Sequence, residues 1–269
     1  MFDNILQSFV GTAAVQIGLV DLLTSIDVVP DYVIGYSVGE LACAYADGCF
    51  TAEEMILAAY SRGMALIETE IPHGSMATVE LSYENIKNCC HADIDIACHN
   101  GTESTTISGP TNSVKAFVKK LQQLDRNFVY IHKKVIPVAK PRSNKWLSTS
   151  VPRKAWSTSA AKLSSAEYHT NNMLKPVLFE EILALIPDNV VTTEIGLQNL
   201  LQETLRKSLQ PTVRNIALNH LRDNDNVIIF LQALGKLYNS GIQLDLAKLY
   251  PHVEYPVSRG APMISRLIS

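Results

Sequence analysis

Apolar residues recur at helical spacing from the start of the chain. Ile5, Phe9, Ala13, Ile17, Val20 and Leu23 mark one face of a helix over residues 5–25. The pattern then changes to a short apolar run, Tyr32-Val33-Ile34, which reads as a strand leading into a second helix beginning near Glu40. Thr51-Ala52-Glu53-Glu54 is a capping box and starts a third helix that runs to about Glu68. Residues 75–131 read strand, helix, strand, strand, helix, strand. The strands are Ser75–Glu80, Asp95–His99, Thr105–Ser108 and Phe128–Ile131, and the helices are about Tyr83–Cys90 and Ser113–Leu124. That order is a ferredoxin-like split βαβ unit. Val190–Gly196 reads as a later buried strand. Helices interleaved with strands predict an α/β protein.

Composition narrows the class. A chain of 269 residues with 47% apolar content can bury a sizeable core and accommodate two subdomains. The net charge of −3 gives no electrostatic footprint for nucleic acid. Five cysteines without a C-x-x-C pair point to reduced thiols rather than a disulfide framework. Charged or polar residues are expected to interrupt each apolar run before it reaches membrane-spanning length. Met1-Phe2-Asp3-Asn4 lacks the basic start of a signal peptide, so a cytoplasmic location without membrane contact is expected.

The chemistry concentrates at Gly35-Tyr36-Ser37-Val38-Gly39, between the predicted strand and helix. A Ser flanked by glycines at this junction is a nucleophile elbow. The turn should be too tight for a Cβ on either glycine, and it should hold the Ser37 hydroxyl exposed on a strained backbone. The helix N-terminus, beginning with the Val38 N–H, would face the oxyanion formed when Ser37 attacks a carbonyl.

The elbow extends into Glu40-Leu41, Ala44-Tyr45-Ala46-Asp47-Gly48-Cys49 and Ala58-Ala59-Tyr60-Ser61-Arg62-Gly63. Further along come Cys98-His99-Asn100, Ile107-Ser108-Gly109-Pro110, Pro141-Arg142-Ser143, Trp146–Ser150, Leu163–His169, Asn172, Pro176–Phe179, Phe230–Tyr238 and Pro256–Gly260. In combination these segments resemble the malonyl/acetyl acyltransferase domain of animal-type, insect-like fatty acid synthases over nearly the whole chain. The resemblance implies an α/β-hydrolase-like large subdomain (1–72 and 133–209), an inserted ferredoxin-like small subdomain (73–132) and a linker (210–269). It also implies transfer of malonyl or acetyl groups from coenzyme A to the phosphopantetheine of an acyl carrier protein, beside a condensing domain, with no metal and no permanently bound cofactor. Arg62, on a helical face with Met55, Ala59 and Leu66, stands where the family holds the malonyl carboxylate. A guanidinium can pair with such a group in bidentate fashion.

Other residues depart from the family. Its general base follows the small subdomain, in a loop and helix that precede the segment written here as Lys133-Lys134-Val135-Ile136-Pro137. Here Phe128-Val129-Tyr130-Ile131-His132 runs directly into that segment, which reads as an internal deletion. His132 is a junction residue and the general base is left unassigned. The family's first strand and Gln-bearing loop would precede residue 5, so the chain reads as truncated at its N-terminus. Tyr36 stands in place of a His beside the nucleophile, and Glu194–Asn199 replaces a Pro-His pair. His99 and His169 read as structural residues. The chain as written is therefore expected to be catalytically impaired. A non-catalytic scaffold or remnant is the alternative, and a serine esterase would share only the elbow.

Overall fold

The computed structural model describes residues 4–69, 74–79, 82–87, 94–110, 136, 138–197, 199–219 and 225–250. Helix α1 (Ile5–Ser25) starts where Asn4 accepts a hydrogen bond from the Gln7 N–H at 2.9 Å. Strand β1 (Val33–Ile34) leads into α2 (Gly39–Ala46). Helix α3 (Ala52–Glu68) opens on the predicted capping box: the Glu54 N–H donates to Thr51 Oγ1 at 3.1 Å and the Thr51 N–H to Glu54 Oε2 at 2.8 Å. Helices α1 and α3 approach closely at Gly63, where a Cβ would lie 2.7 Å from both the Leu6 Cα and its Cδ1.

Strands β2 (Gly74–Val79), β3 (Asp95–Gly101) and β4 (Ser104–Pro110), with the short helix α4 (Tyr83–Ile86), form the sheet predicted for the split βαβ unit. Its order is β2-β4-β3, with antiparallel pairs Ala77↔Ile107 and Ile96↔Ile107. The predicted second helix and fourth strand of that unit lie outside the described residues, as do His132, Cys89 and Cys90. Two further short strands follow, β5 (Lys140–Pro141) and β6 (Trp146–Leu147). Strand β6 runs parallel to β1, with Val33 opposite Trp146 and Ile34 opposite Leu147. Strand β7 (Leu163–Ser164) pairs with β5. Strand β8 (Val177–Leu178) adds to the free edge of β3 in parallel, with Cys98 opposite Val177.

Among the described residues, the three larger hydrophobic clusters place these elements. Phe9, Ala13 and Ile17 of α1 pack with Leu41 and Ala44 of α2 and with Met55, Ala58 and Ala59 of α3. Cys98, Val177 and Phe179 form a second core on which Ile34 and Tyr36 rest. The third joins Leu23 and Ile26 to Ile216, Leu218, Leu234 and Leu237. The strand expected at Val190–Gly196 is β9 (Val191–Glu194). It is half-buried along its length and pairs in parallel with β10 (Arg214–Ala217). Within the segment expected as a linker (210–269), Arg214–Ala217 and the Asn226–Asn239 helix contribute residues to this third core.

One expectation is corrected. Helix α1 carries a single charged residue, Asp21, and at 21 residues is long and apolar enough to cross a membrane by those criteria alone. Two of the cores draw on this helix: the first half of the helix faces α2 and α3, while its second half faces β10 and the Asn226–Asn239 helix. Only Ala13, Gln16 and Leu23 of the helix are buried, so most of its apolar residues are partly exposed.

Candidate active site

Ser37 is exposed and sits at φ +54°, a left-handed conformation uncommon for a residue with a side chain. Three short backbone bonds wind the turn around it: Gly39 N–H to Tyr36 O (2.9 Å), Glu40 N–H to Ser37 O (3.1 Å) and Leu41 N–H to Val38 O (3.0 Å). Among the described residues no acceptor takes the Val38 N–H, which stays open at the mouth of α2. The requirement for glycine holds on one flank only. A Cβ at Gly35 would lie 2.5 Å from the Glu40 N and 2.6 Å from its Cα, whereas one at Gly39 would meet nothing within 4 Å. The strand enters the turn beneath the helix that leaves it, so only the entering glycine is crowded. Gly35→Ala is therefore expected to cost about 3 kcal/mol of stability in urea unfolding, and Gly39→Ala under about 1 kcal/mol. Equal effects would contradict this asymmetry.

The residue before the nucleophile faces the small sheet. Tyr36 donates its hydroxyl to Asn100 Oδ1 at 2.7 Å, and Asn100 Nδ2 donates to Thr106 Oγ1 at 2.9 Å. The Tyr36 ring meets Phe179 edge-on at 5.4 Å, and burial pushes its phenol well above the usual range.

Beneath the elbow lies a polar cluster whose residues the sequence shows but whose joint role it does not. Glu40 is fully buried on α2. Its Oε2 accepts from Trp146 Nε1 at 2.8 Å, and its Oε1 from the Thr149 N–H at 2.8 Å. The Tyr168 hydroxyl lies 2.7 Å from Oε2 and Thr149 Oγ1 lies 2.8 Å from Oε1. Thr149 Oγ1 is also 2.7 Å from the carbonyl oxygen of Gly35, so the base of the turn hangs from this cluster. The Arg142 guanidinium covers the rings of Trp146 and Tyr168 at 4.7 and 4.8 Å. Burial raises the Glu40 carboxyl above its ordinary range. An acidic residue on a helix whose other residues are Gly, Leu, Ala, Cys and Tyr is a sequence signal that could have found it.

Arg62 turns inward and is 1% exposed. Its Nη1 donates to Asn172 Oδ1 at 2.9 Å and its Nη2 to the His169 carbonyl at 3.1 Å. Among the described residues its Nε has no partner and no carboxylate lies within ion-pair distance. Burial lowers the guanidinium to about 10. The Glu40 carboxyl favours this charge from beyond ion-pair distance, and a buried cation with no carboxylate in direct contact carries a desolvation cost that an incoming anion can offset.

The two described histidines are engaged elsewhere. His169 is fully buried, with Nε2 2.9 Å from Ser164 Oγ, and His99 stacks on Tyr83 with ring centroids 4.0 Å apart. Neither makes a hydrogen bond to Ser37. Glu194, from the segment that replaces the Pro-His pair, accepts from the Leu201 N–H and from Gln202 Nε2, each at 2.9 Å. Among the described residues no cluster of His, Cys, Asp and Glu could hold a metal ion.

Residues 1–244 match the family model for the acyl transferase domain. The chain belongs to the acyl transferase domain family. A highly reducing polyketide synthase from a Fusarium species is 32% identical over 259 residues, 87% of this chain and 10% of the relative. A squalestatin hexaketide synthase from a Phoma species is 30% identical over 256 residues, 86% of this chain and 10% of the relative. The chain thus spans about a tenth of the length of these curated relatives. Among solved structures, the acyltransferase domain from the second module of the salinomycin polyketide synthase superposes with a TM-score of 0.73 at 20% identity, covering 93% of this chain and 66% of that one. The acyltransferase domain of the polyketide synthase PpsC of Mycobacterium tuberculosis gives 0.65 at 23% identity, covering 81% and 74%. The α/β acyltransferase fold expected from the sequence is therefore the fold observed. These relatives are polyketide synthases, so the matches carry the acyl transferase family and not the fatty acid synthase type.

Proposed function

We propose that this chain is the malonyl/acetyl acyltransferase unit of a cytoplasmic type I synthase of fatty acid synthase type. The observation that carries the acyl transfer is Ser37 at φ +54°, exposed on the turn with the Val38 N–H open beside it. Ser37 Oγ attacks the thioester carbonyl of malonyl- or acetyl-coenzyme A, and the Val38 N–H stabilises the oxyanion. The carbon–sulfur bond breaks, coenzyme A leaves as its thiol, and an ester remains on Ser37. The phosphopantetheine thiol of an acyl carrier protein then attacks this ester and returns the proton to Ser37. Arg62 holds the free carboxylate of the malonyl group, a role supported by its burial with no described carboxylate in direct contact. The segments quoted from Tyr36 to Gly260 support the fatty acid synthase type, with a condensing domain as neighbour. They also support the division into a large subdomain (1–72 and 133–209), a small one (73–132) and a following segment (210–269).

The test is prolonged incubation with labelled malonyl-coenzyme A followed by peptide mapping. Label is expected on Ser37 and absent from Ser37→Ala. A second reading, a non-catalytic remnant, is favoured by the engagement of His99 and His169 away from the elbow. Label no higher than in the Ser37→Ala control selects that reading.

A further inference from the structure

The cluster under the elbow allows a count of protons. It contains four oxygen–oxygen contacts of hydrogen-bond length: Glu40 Oε1 to Thr149 Oγ1 (2.8 Å), Thr149 Oγ1 to Gly35 O (2.7 Å), Glu40 Oε2 to Tyr168 Oη (2.7 Å) and Tyr168 Oη to Ser148 Oγ (2.6 Å). Each contact needs one proton between its two oxygens. The hydroxyls of Thr149, Tyr168 and Ser148 carry one proton each. If Glu40 is ionised, one of the four contacts sets two lone pairs against each other among fully buried groups. If Glu40 is a neutral acid, every contact is filled.

We infer that Glu40 is held as a neutral carboxylic acid and acts as a positioning residue, its proton completing a chain of donors that ends on the Gly35 carbonyl at the root of the nucleophile turn. The assignment is unique. Glu40 Oε1–H donates to Thr149 Oγ1, and Thr149 donates to Gly35 O. Ser148 donates to Tyr168, and Tyr168 donates to Glu40 Oε2. The N–H groups fit the same pattern. Oε1 still accepts from the Thr149 N–H, Oε2 from Trp146 Nε1, Tyr168 Oη from Arg142 Nη1 at 2.9 Å, and Ser148 Oγ from the Ser150 N–H at 3.1 Å.

The charged and titratable surroundings are Arg62 on α3, Arg142 before β6, Cys43 on α2, and Tyr168 with His169 on the Ala166–Leu174 helix. Both guanidiniums favour an ionised Glu40, yet neither donates to it. Arg142 Nε serves the Ala161 carbonyl at 2.7 Å, and Arg62 serves Asn172 and His169. Burial, which raises the carboxyl, is the larger influence. A neutral Glu40 has a second effect, which rests on the reading of Arg62 given above: the Arg62 charge is left uncompensated for an anionic acyl group.

The test is isotope-edited infrared spectroscopy of the full chain labelled with 13C-glutamate, at about pH 8, well above the ordinary glutamate range of about 4.3. A carboxylic-acid carbonyl band is expected in the native protein and is expected to vanish in Glu40→Gln. If the substitution removes only carboxylate intensity, Glu40 is ionised and the inference falls. Should Glu40→Gln not fold, Thr149→Val serves instead, because it takes away the acceptor of the acid O–H and must shift the band. Thr149→Ser, which keeps the hydroxyl, must leave the band in place. A band unmoved by Thr149→Val belongs to another glutamate and also overturns the inference. No substrate is involved, so failure to label Ser37 leaves this result standing.

Discussion

Trp146→Ala is expected to lower the unfolding free energy by about 3–5 kcal/mol. The indole is 1% exposed and belongs to the core that joins α1, α2 and α3. It meets Tyr168 edge-on at 5.4 Å and lies under the Arg142 guanidinium, so its removal opens a cavity that two rigid neighbours cannot fill. It also strips Oε2 of Glu40 of the indole N–H and leaves the Tyr168 hydroxyl as that oxygen's remaining partner. Trp146→Phe separates the two effects. It keeps most of the ring and loses only the donor, for about 1–2 kcal/mol. Urea unfolding of the three proteins measures both costs. A loss below about 1 kcal/mol for the alanine variant would mean that the core collapses around the site, contrary to the packing described.

In a version of the domain with its general base restored, Arg62→Ala is expected to depress malonyl transfer relative to acetyl transfer by about 2–3 kcal/mol, or roughly 30–150-fold in the ratio of kcat/KM. Only the malonyl group brings a free carboxylate to the guanidinium. Both substrates will also lose some rate, because the truncation leaves Asn172 Oδ1 and the His169 carbonyl without their donor. Taking the ratio cancels that common loss. Lysine is not expected to restore selectivity, since an ammonium cannot bond Asn172, the His169 carbonyl and a carboxylate in the plane that a guanidinium offers. Equal losses for the two acyl groups would remove Arg62 from substrate selection and leave it a structural cation.

Features set by neighbouring residues were the ones legible in the chain. The capping box at Thr51 and Glu54, the extent of helix α1, and the strained backbone of Ser37 each depend on contacts a few residues apart, and each formed as read. Contacts made at long range were not legible. Glu40 finds its partners 106 to 128 residues away, on β6, on the loop after it and on the Ala166–Leu174 helix. Nothing in the spacing of those residues brings them together. Strand β10, four residues long, carries too little alternation to announce itself, and its place in a core follows only from pairing with β9. At Gly39 the motif overstated the constraint, because a sequence pattern cannot say which side of a turn is crowded.

The pairing of β8 with β3 sets the mechanics of the domain. Cys98 and His99 are laddered to Val177 and Leu178, and the Tyr36 hydroxyl grips Asn100 two positions beyond Cys98. Any tilt of the small sheet away from the nucleophile must therefore shear a strand ladder and break a tyrosine hydrogen bond in the same stroke. The near edge of the sheet is clamped to the body that carries Ser37. Any compliance of this sheet must therefore lie toward the opposite margin at β2, two strands removed from the clamp.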